Sequence, residues 1–192
     1  MFNFKKENKD LEKQGKILKQ VTEEIFTETE RYRFDGELTL TKKEIVDYKK
    51  RLHTNGLEKF NGPSYVAGVS FFRTSADKEK ENAAGALVFY IEGEQAFDIL
   101  RILGHKAEDD ESQEKIAQQC AQFCKRLAEK FKTQLTSAGF SDLVMSEPIF
   151  GRNQLPGGLA FSLDQYTMME LAGNIQKSKR VVLNLTLTTI GK

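Results

Sequence analysis

Only two cysteines and two histidines occur in this 192-residue sequence, so metal, redox and histidine chemistry have little to work with. Cys120 and Cys124 cannot form the disulfide framework that staples small secreted domains. His53 and His105 are remote from each other in sequence and leave little room for conventional histidine catalysis. Long apolar runs are lacking as well: none approaches the roughly 20 residues that cross a bilayer. The opening Met1-Phe2-Asn3-Phe4-Lys5-Lys6 has no apolar segment of the secretory kind. An excess of either charge is also missing. Lys plus Arg number 29 against 28 Asp plus Glu, a net +1, which gives no bulk attraction to nucleic acid or anionic lipid. There is no Ser-His-Asp arrangement, zinc-spaced Cys/His set, Rossmann fingerprint, internal repeat or interdomain linker. A cytoplasmic chain forming one domain over residues 1–192 is expected, with no nucleic-acid or membrane partner, no metal and no cofactor.

What is present begins with residues 112–139. Ile116, Cys120, Phe123, Cys124, Leu127, Phe131 and Leu135 recur at steps of three and four, with Ala117, Ala121 and Ala128 on the flanks. That spacing predicts one long amphipathic helix with a buried stripe. The opposite stripe, Gln118, Gln122, Lys125, Glu129 and Lys132, is expected to face outward. The acidic run at 108–111 suits the start of this helix, where unpaired N–H groups carry partial positive charge; it lacks the spaced ligands and central glycine of a calcium loop. Cys120 and Cys124 fall on the apolar stripe and read as core packing, because a buried free cysteine behaves as a small hydrophobe.

Elsewhere, residues 9–33 predict a first helix that buries Leu11, Leu18, Val21, Ile25 and Phe26. A short strand at 37–40 is followed by the Thr41-x-x-Glu44 spacing of a capping box, which predicts a short helix carrying Ile45, Tyr48 and Leu52. Residues 65–72 and 84–91 read as central strands, apolar at nearly every position and joined by a charged loop at 73–82. A short helix at 94–103 ends at Gly104. Strands are expected at 143–150 and 159–166 about a turn at 153–158. In that turn, Gly151-Arg152-Asn153 and Pro156-Gly157-Gly158 are not a P-loop, since no Lys-Ser/Thr follows. Residues 168–175 fit a helical turn or extended chain. Lys49-Lys50-Arg51 and Lys177-Ser178-Lys179-Arg180 read as a solvated helix face and loop. Residues 181–190 alternate, with Leu183, Leu185 and Leu187 on one side and Asn184, Thr186 and Thr188 on a wet or partner-covered side. This order predicts an α+β fold, an antiparallel sheet with helices packed on one face.

The order of elements resembles the CheC/CheX/FliY family of chemotaxis phosphatases, which dephosphorylate the response regulator CheY. The resemblance implies a CheX-like fold. The family motif runs Asp or Ser, three residues, Glu, two residues, Asn, then twenty-two residues to a Pro. The same spacing, counted back from Pro148, gives Lys125, Gln122 and Gln118, all on the outward stripe. Ala67-Gly68-Val69-Ser70-Phe71 and Gly85-Ala86-Leu87-Val88 resemble the family's paired glycine-containing strands. The match covers residues 65–190; residues 1–64 form a helix and a variable region, of which 36–60 fits the family poorly.

In the family the Asn amide orients a water in line with the aspartyl phosphate, and the Glu pairs with a lysine of the regulator. Positioning of this kind is most of what phosphoryl transfer asks of a protein. Lys125 has no acceptor lone pair, and Gln122 lacks the glutamate's charge. The resemblance therefore implies a catalytically silent module docking a CheY-like receiver domain, or another signalling protein, through Gln118, Gln122, Lys125, Glu129 and Pro148. One alternative is a working phosphatase with Gln122 holding water and Lys125 attracting phosphate. Another is an unrelated α+β scaffold or small-molecule sensor. Because CheX is dimeric, the resemblance also implies a homodimer, with an exposed strand edge near the C-terminus as one contact.

Overall fold

The computed structural model describes residues 2–28, 33–106 and 112–188; the acidic run at 108–111 and the end of the strand expected at 181–190 lie outside them. The chain runs through α1 (Phe2–Glu28), β1 (Thr39–Glu44), β2 (Asp47–Tyr48), β3 (Arg51–Leu52), α2 (Gly56–Phe60), β4 (Ser64–Phe72), α3 (Ser75–Glu79) and β5 (Gly85–Glu92). It continues through α4 (Ala96–Ile102), α5 (Gln113–Ser137), β6 (Val144–Met145), β7 (Ile149–Arg152), β8 (Thr167–Ile175) and β9 (Lys179–Leu187). The main sheet has the order β1-β8-β9-β5-β4-β6, with β7 also on β4, and every pairing is antiparallel. This is the α+β architecture that the element order predicts.

Alternation along the central strands sorts their side chains between two layers. Tyr65, Ala67, Val69 and Phe71 of β4 join Leu87, Phe89 and Ile91 of β5 and Leu183, Leu185 and Leu187 of β9 in the larger core, with α1, α4 and α5 packed over it. Aromatic contacts lock these helices down. The Phe123 ring of α5 lies 4.8 Å from Phe89 and 5.9 Å, edge-on, from Phe26 of α1, while Phe131 lies 6.0 Å from Phe71. On the other face, Val66, Val88, Tyr90 and Val182 are covered by Leu52, Leu155, Leu159 and Phe161. That cover consists of the β2–β3 hairpin, α2 and the irregular segment 153–166. Gly68 permits the close approach: a Cβ there would sit 2.9 Å from Leu159 Cδ2 and 3.0 Å from Leu155 Cδ1.

Several local expectations are overturned. Residues 41–44 belong to edge strand β1, paired with β8 from Thr39↔Ala172 to Glu44↔Thr167, and not to a capped helix. The ladder satisfies backbone groups that a capping box would have served only in part. Residues 159–166 form no strand; Leu159 alone bridges Leu52. The segment expected at 143–150 is split into β6 and β7 around Pro148, which has no N–H for a ladder. Residues 168–175, ambiguous in sequence, are extended as β8. The charged loop at 73–82 contains α3, whose Thr74 cap accepts from Asp77 N–H. Lys49-Lys50 lie on the β2–β3 hairpin rather than on a helix face. The first helix begins at Phe2 instead of residue 9, and residues 29–32 at its expected end lie outside the described chain.

The polar side of β9 is not wet either. Asn184 and Thr186 are buried on the second face: Asn184 Nδ2 donates to Tyr90 Oη at 3.4 Å, and Thr186 Oγ1 accepts from Ala86 N–H at 3.0 Å. Beside Asn184 in the ladder, Glu170 is buried and reaches both Lys43 of β1, at 2.6 Å, and Lys59 of α2. Nor does β9 offer a free edge. It lies between β8 and β5, so the strand edge expected near the C-terminus as a dimer contact is already filled.

Candidate docking face on the long helix

Helix α5 starts at Ser112, whose side chain accepts from Lys115 N–H at 3.3 Å, and gives way to Gly139 in the left-handed region at φ +89°. Its inner stripe is buried along its whole length, including Ile116, Cys120, Phe123, Cys124, Leu127, Phe131 and Leu135. That burial fixes the rotation of the helix and so decides what faces out. Gln118, Gln122 and Glu129 are exposed and Lys125 is half-buried. At 1.5 Å per residue, Gln118, Gln122 and Lys125 form a row about 10 Å long.

The turn after α5 brings the chain back beside this row. Glu147, next to Pro148, accepts from Lys125 Nζ at 2.9 Å. The ion pair holds the Lys125 ammonium above the ordinary lysine pKa and the Glu147 carboxyl below the ordinary carboxylate range; in both, the shared hydrogen bond is the largest cause. Lys78, which donates to Met145 O at 2.8 Å, adds charge near Glu147. Gln118 and Gln122 make no side-chain hydrogen bond within the described residues. At the helix start, Arg152 Nη1 donates to Gln113 Oε1 at 2.7 Å. Toward the other end Lys132 faces Asp142 at 3.3 Å.

The structure thus brings Gln118, Gln122, Lys125 and Pro148 to one side of the molecule, with Glu129 one turn beyond Lys125. It adds a residue that sequence reasoning passed over, Glu147. The helix-to-Pro spacing held the signal, since a turn that sets Pro148 near Lys125 sets its neighbour there too. Chemically the row offers two free carboxamides and one neutralised ion pair. Lys125 supplies donors only, and its ammonium is already engaged.

The other candidates are differently placed. Cys120 and Cys124 are fully buried; burial pushes the Cys120 thiol well above its usual range and Cys124 up to about 12, so neither is a thiolate near neutrality. His105 is held below its ordinary pKa, first by burial and then by Arg126. Among the described residues no group of three or more His, Cys, Asp or Glu side chains is placed to hold a metal ion. No described helix is long and apolar enough to cross a membrane. Gly151 and Arg152 belong to β7, and Asn153 Oδ1 accepts from Ser64 N–H at 3.0 Å.

No family model and no curated protein matches the sequence. Solved structures do match the fold. CheX from Borrelia burgdorferi, in a complex with CheY, BeF3 and Mg, superimposes with a TM-score of 0.53 at 14% identity, covering 90% of this chain and 96% of that one. CheX from Desulfovibrio desulfuricans gives 0.53 at 10% identity, over 91% and 99% of the two chains. FliY from Thermotoga maritima gives 0.54 at 12% identity, over 94% and 90%. The fold is CheC/CheX/FliY-like, as the order of elements implies.

Proposed function

We propose that this chain is a CheX-like signalling module that binds a CheY-like receiver domain, or a similar signalling partner, without hastening loss of its phosphate. The observation that carries this reading is the 2.9 Å pair between Lys125 and Glu147. At the position where the family places a water-orienting amide stands an ammonium with no acceptor, already donating to a carboxylate. Water alignment is the main service such a site provides in phosphoryl transfer, and this pair supplies none. Docking needs less. Gln118, Gln122 and Glu129 present an exposed polar row beside Pro148, and Glu147 offers from the loop a carboxylate that the motif normally carries on the helix. The CheX–CheY complex of the Borrelia protein supports the class of partner. Such a partner also implies a cytoplasmic setting. A homodimer, if formed through the sheet, would use β1 or the β6–β7 edge.

The test is decay of a phosphorylated receiver domain from the same organism, with and without this protein, with binding followed calorimetrically in the same samples. Binding with unchanged decay is the expected result. Acceleration that disappears in Gln122→Ala would replace this reading with a phosphatase whose water is held by Gln122. The absence of both binding and acceleration would refute the reading and favour a scaffold of another kind.

A further inference from the structure

Two loop features distant in sequence meet on the face of the sheet opposite α5. The β2–β3 hairpin turns at Lys49 and Lys50, both in the left-handed region at φ 49° and 63°. The segment after β7 turns at Gly157 and Gly158, at φ 70° and 69°. The two turns are seated on each other. A Cβ on Gly158 would lie 2.9 Å from both Arg51 Cβ and Leu52 O, so only glycine allows the approach. Arg51 Nε donates to Gly157 O at 3.4 Å, and its Nη1 is tethered to Glu81 at 2.8 Å.

Between the turns lies a cleft of about 500 Å³, within the range of small-molecule sites. Three side chains on its wall are basic, Lys49, Arg51 and His53, and none is acidic. Leu52 and Leu155, both anchored in the second core, supply an apolar floor. On the rim, the N–H of Gly157 has no partner among the described residues, and nothing lies within 4 Å of where its Cβ would be. An ammonium, an imidazole and an open backbone N–H around one cleft match the acceptor oxygens of a phosphate, and the floor matches an organic body attached to it.

We infer that this cleft binds a small phosphorylated organic molecule, its phosphate held by Lys49, His53 and the Gly157 N–H and its body laid on Leu52 and Leu155. The site is separate from the α5 face and stands whether or not a receiver domain docks there. The composition of the hairpin turn agrees with it. Two consecutive left-handed residues are the geometry that Asn-Gly adopts most readily, and lysine is the more strained choice in both places.

That preference supplies a clean test. The double substitution Lys49→Asn with Lys50→Gly suits the turn better than the parent sequence and removes its charge. Titrating the parent with ADP at low ionic strength, where charge is least screened, should shift amide resonances saturably at residues 49–53 and 154–158. Pyrophosphate should compete for the same site. In the double variant, folded and at least as heat-stable as the parent, the affinity should fall about tenfold or more, a loss of about 1.4 kcal/mol. The inference is overturned if ADP gives no saturable shifts at these amides up to millimolar concentration, or if pyrophosphate fails to displace it. It is equally overturned if the double variant binds as the parent does.

Discussion

Glu170 sets up a quantitative test of the second sheet face. It is 5% exposed, and its two carboxylate oxygens reach Lys43 and Lys59 from different elements. The Lys59 side chain is 16% exposed and its ammonium lies 5.7 Å from the Tyr90 ring centre, whereas Lys43 is 44% exposed. Lys59→Met keeps the aliphatic stem over Tyr90 and removes the charge. Stripping the partner from a fully buried ion costs about 3–5 kcal/mol. Here Lys43 remains, although water screens that pair, so a loss of about 2–3 kcal/mol is expected. In a chain of this size that lowers Tm by about 5–10 °C. Adding Glu170→Met removes the stranded charge, and because apolar replacement of a buried pair is often neutral, the double variant should return to within about 1 kcal/mol of the parent. Urea unfolding of the four proteins, followed by circular dichroism, gives the coupling energy. A value near 2 kcal/mol is expected, and one under about 0.5 kcal/mol would mean that the carboxylate is solvated and the reasoning wrong.

Other outcomes follow from the same structure. Burial raises the Glu170 carboxyl, but hydrogen bonds and charge from Lys43 and Lys59 outweigh it and leave the folded pKa depressed. Its contribution is therefore present above the unfolded value of about 4.3 and lost as pH falls through the lower folded one; Glu170→Gln should flatten that acid limb of Tm against pH, and identical limbs would discount the pairing. Cys120 and Cys124 should resist iodoacetamide at pH 8 in the native protein and both react in urea, as read by intact mass. Phe123→Ala, at a fully buried ring touching Phe26 and Phe89, should lower unfolding free energy by about 3–5 kcal/mol; a loss under about 1 kcal/mol would show that the site collapses freely.

The helix that carries the candidate face was legible because its apolar spacing has one solution: burying Phe123, Leu127 and Phe131 leaves Gln118, Gln122 and Lys125 outside. The central strands were legible for a similar reason, being apolar at nearly every step. Edge strand β1 was legible only at its start, where the short strand expected at 37–40 meets Thr39 and Leu40. Thr-Leu-Thr-Lys-Lys-Glu is charged and exposed apart from the partly buried Leu40, so its strand state comes from pairing with β8, a partner some 130 residues away in the register Thr41↔Glu170. The polar side of β9 misled in the opposite sense. Asn184 and Thr186 read as wet or partner-covered, because their actual cover, residues 153–166 of the same chain, is irregular and has no periodicity to announce it. Glu147 illustrates a third limit. Helix periodicity ranks residues by face, but it says nothing of which loop residue returns to meet them.

The central place of β9 has a consequence for how the protein is made. Strands β4 and β5 can pair as a local hairpin, and β1 can find β8 once both exist, but among the described residues only β9 joins these two halves of the main sheet. Until Lys179–Leu187 clears the ribosome, β5 has an open apolar edge and β8 lacks its principal neighbour. The nascent chain must therefore carry an unfinished sheet from the emergence of β5, which ends at Glu92, until β9 follows at Lys179–Leu187. Long-range pairing of this kind is slow and prone to wrong strand addition. A chaperone that shields the exposed β5 edge should raise the yield of folded protein, whereas faster elongation should leave little of that edge waiting.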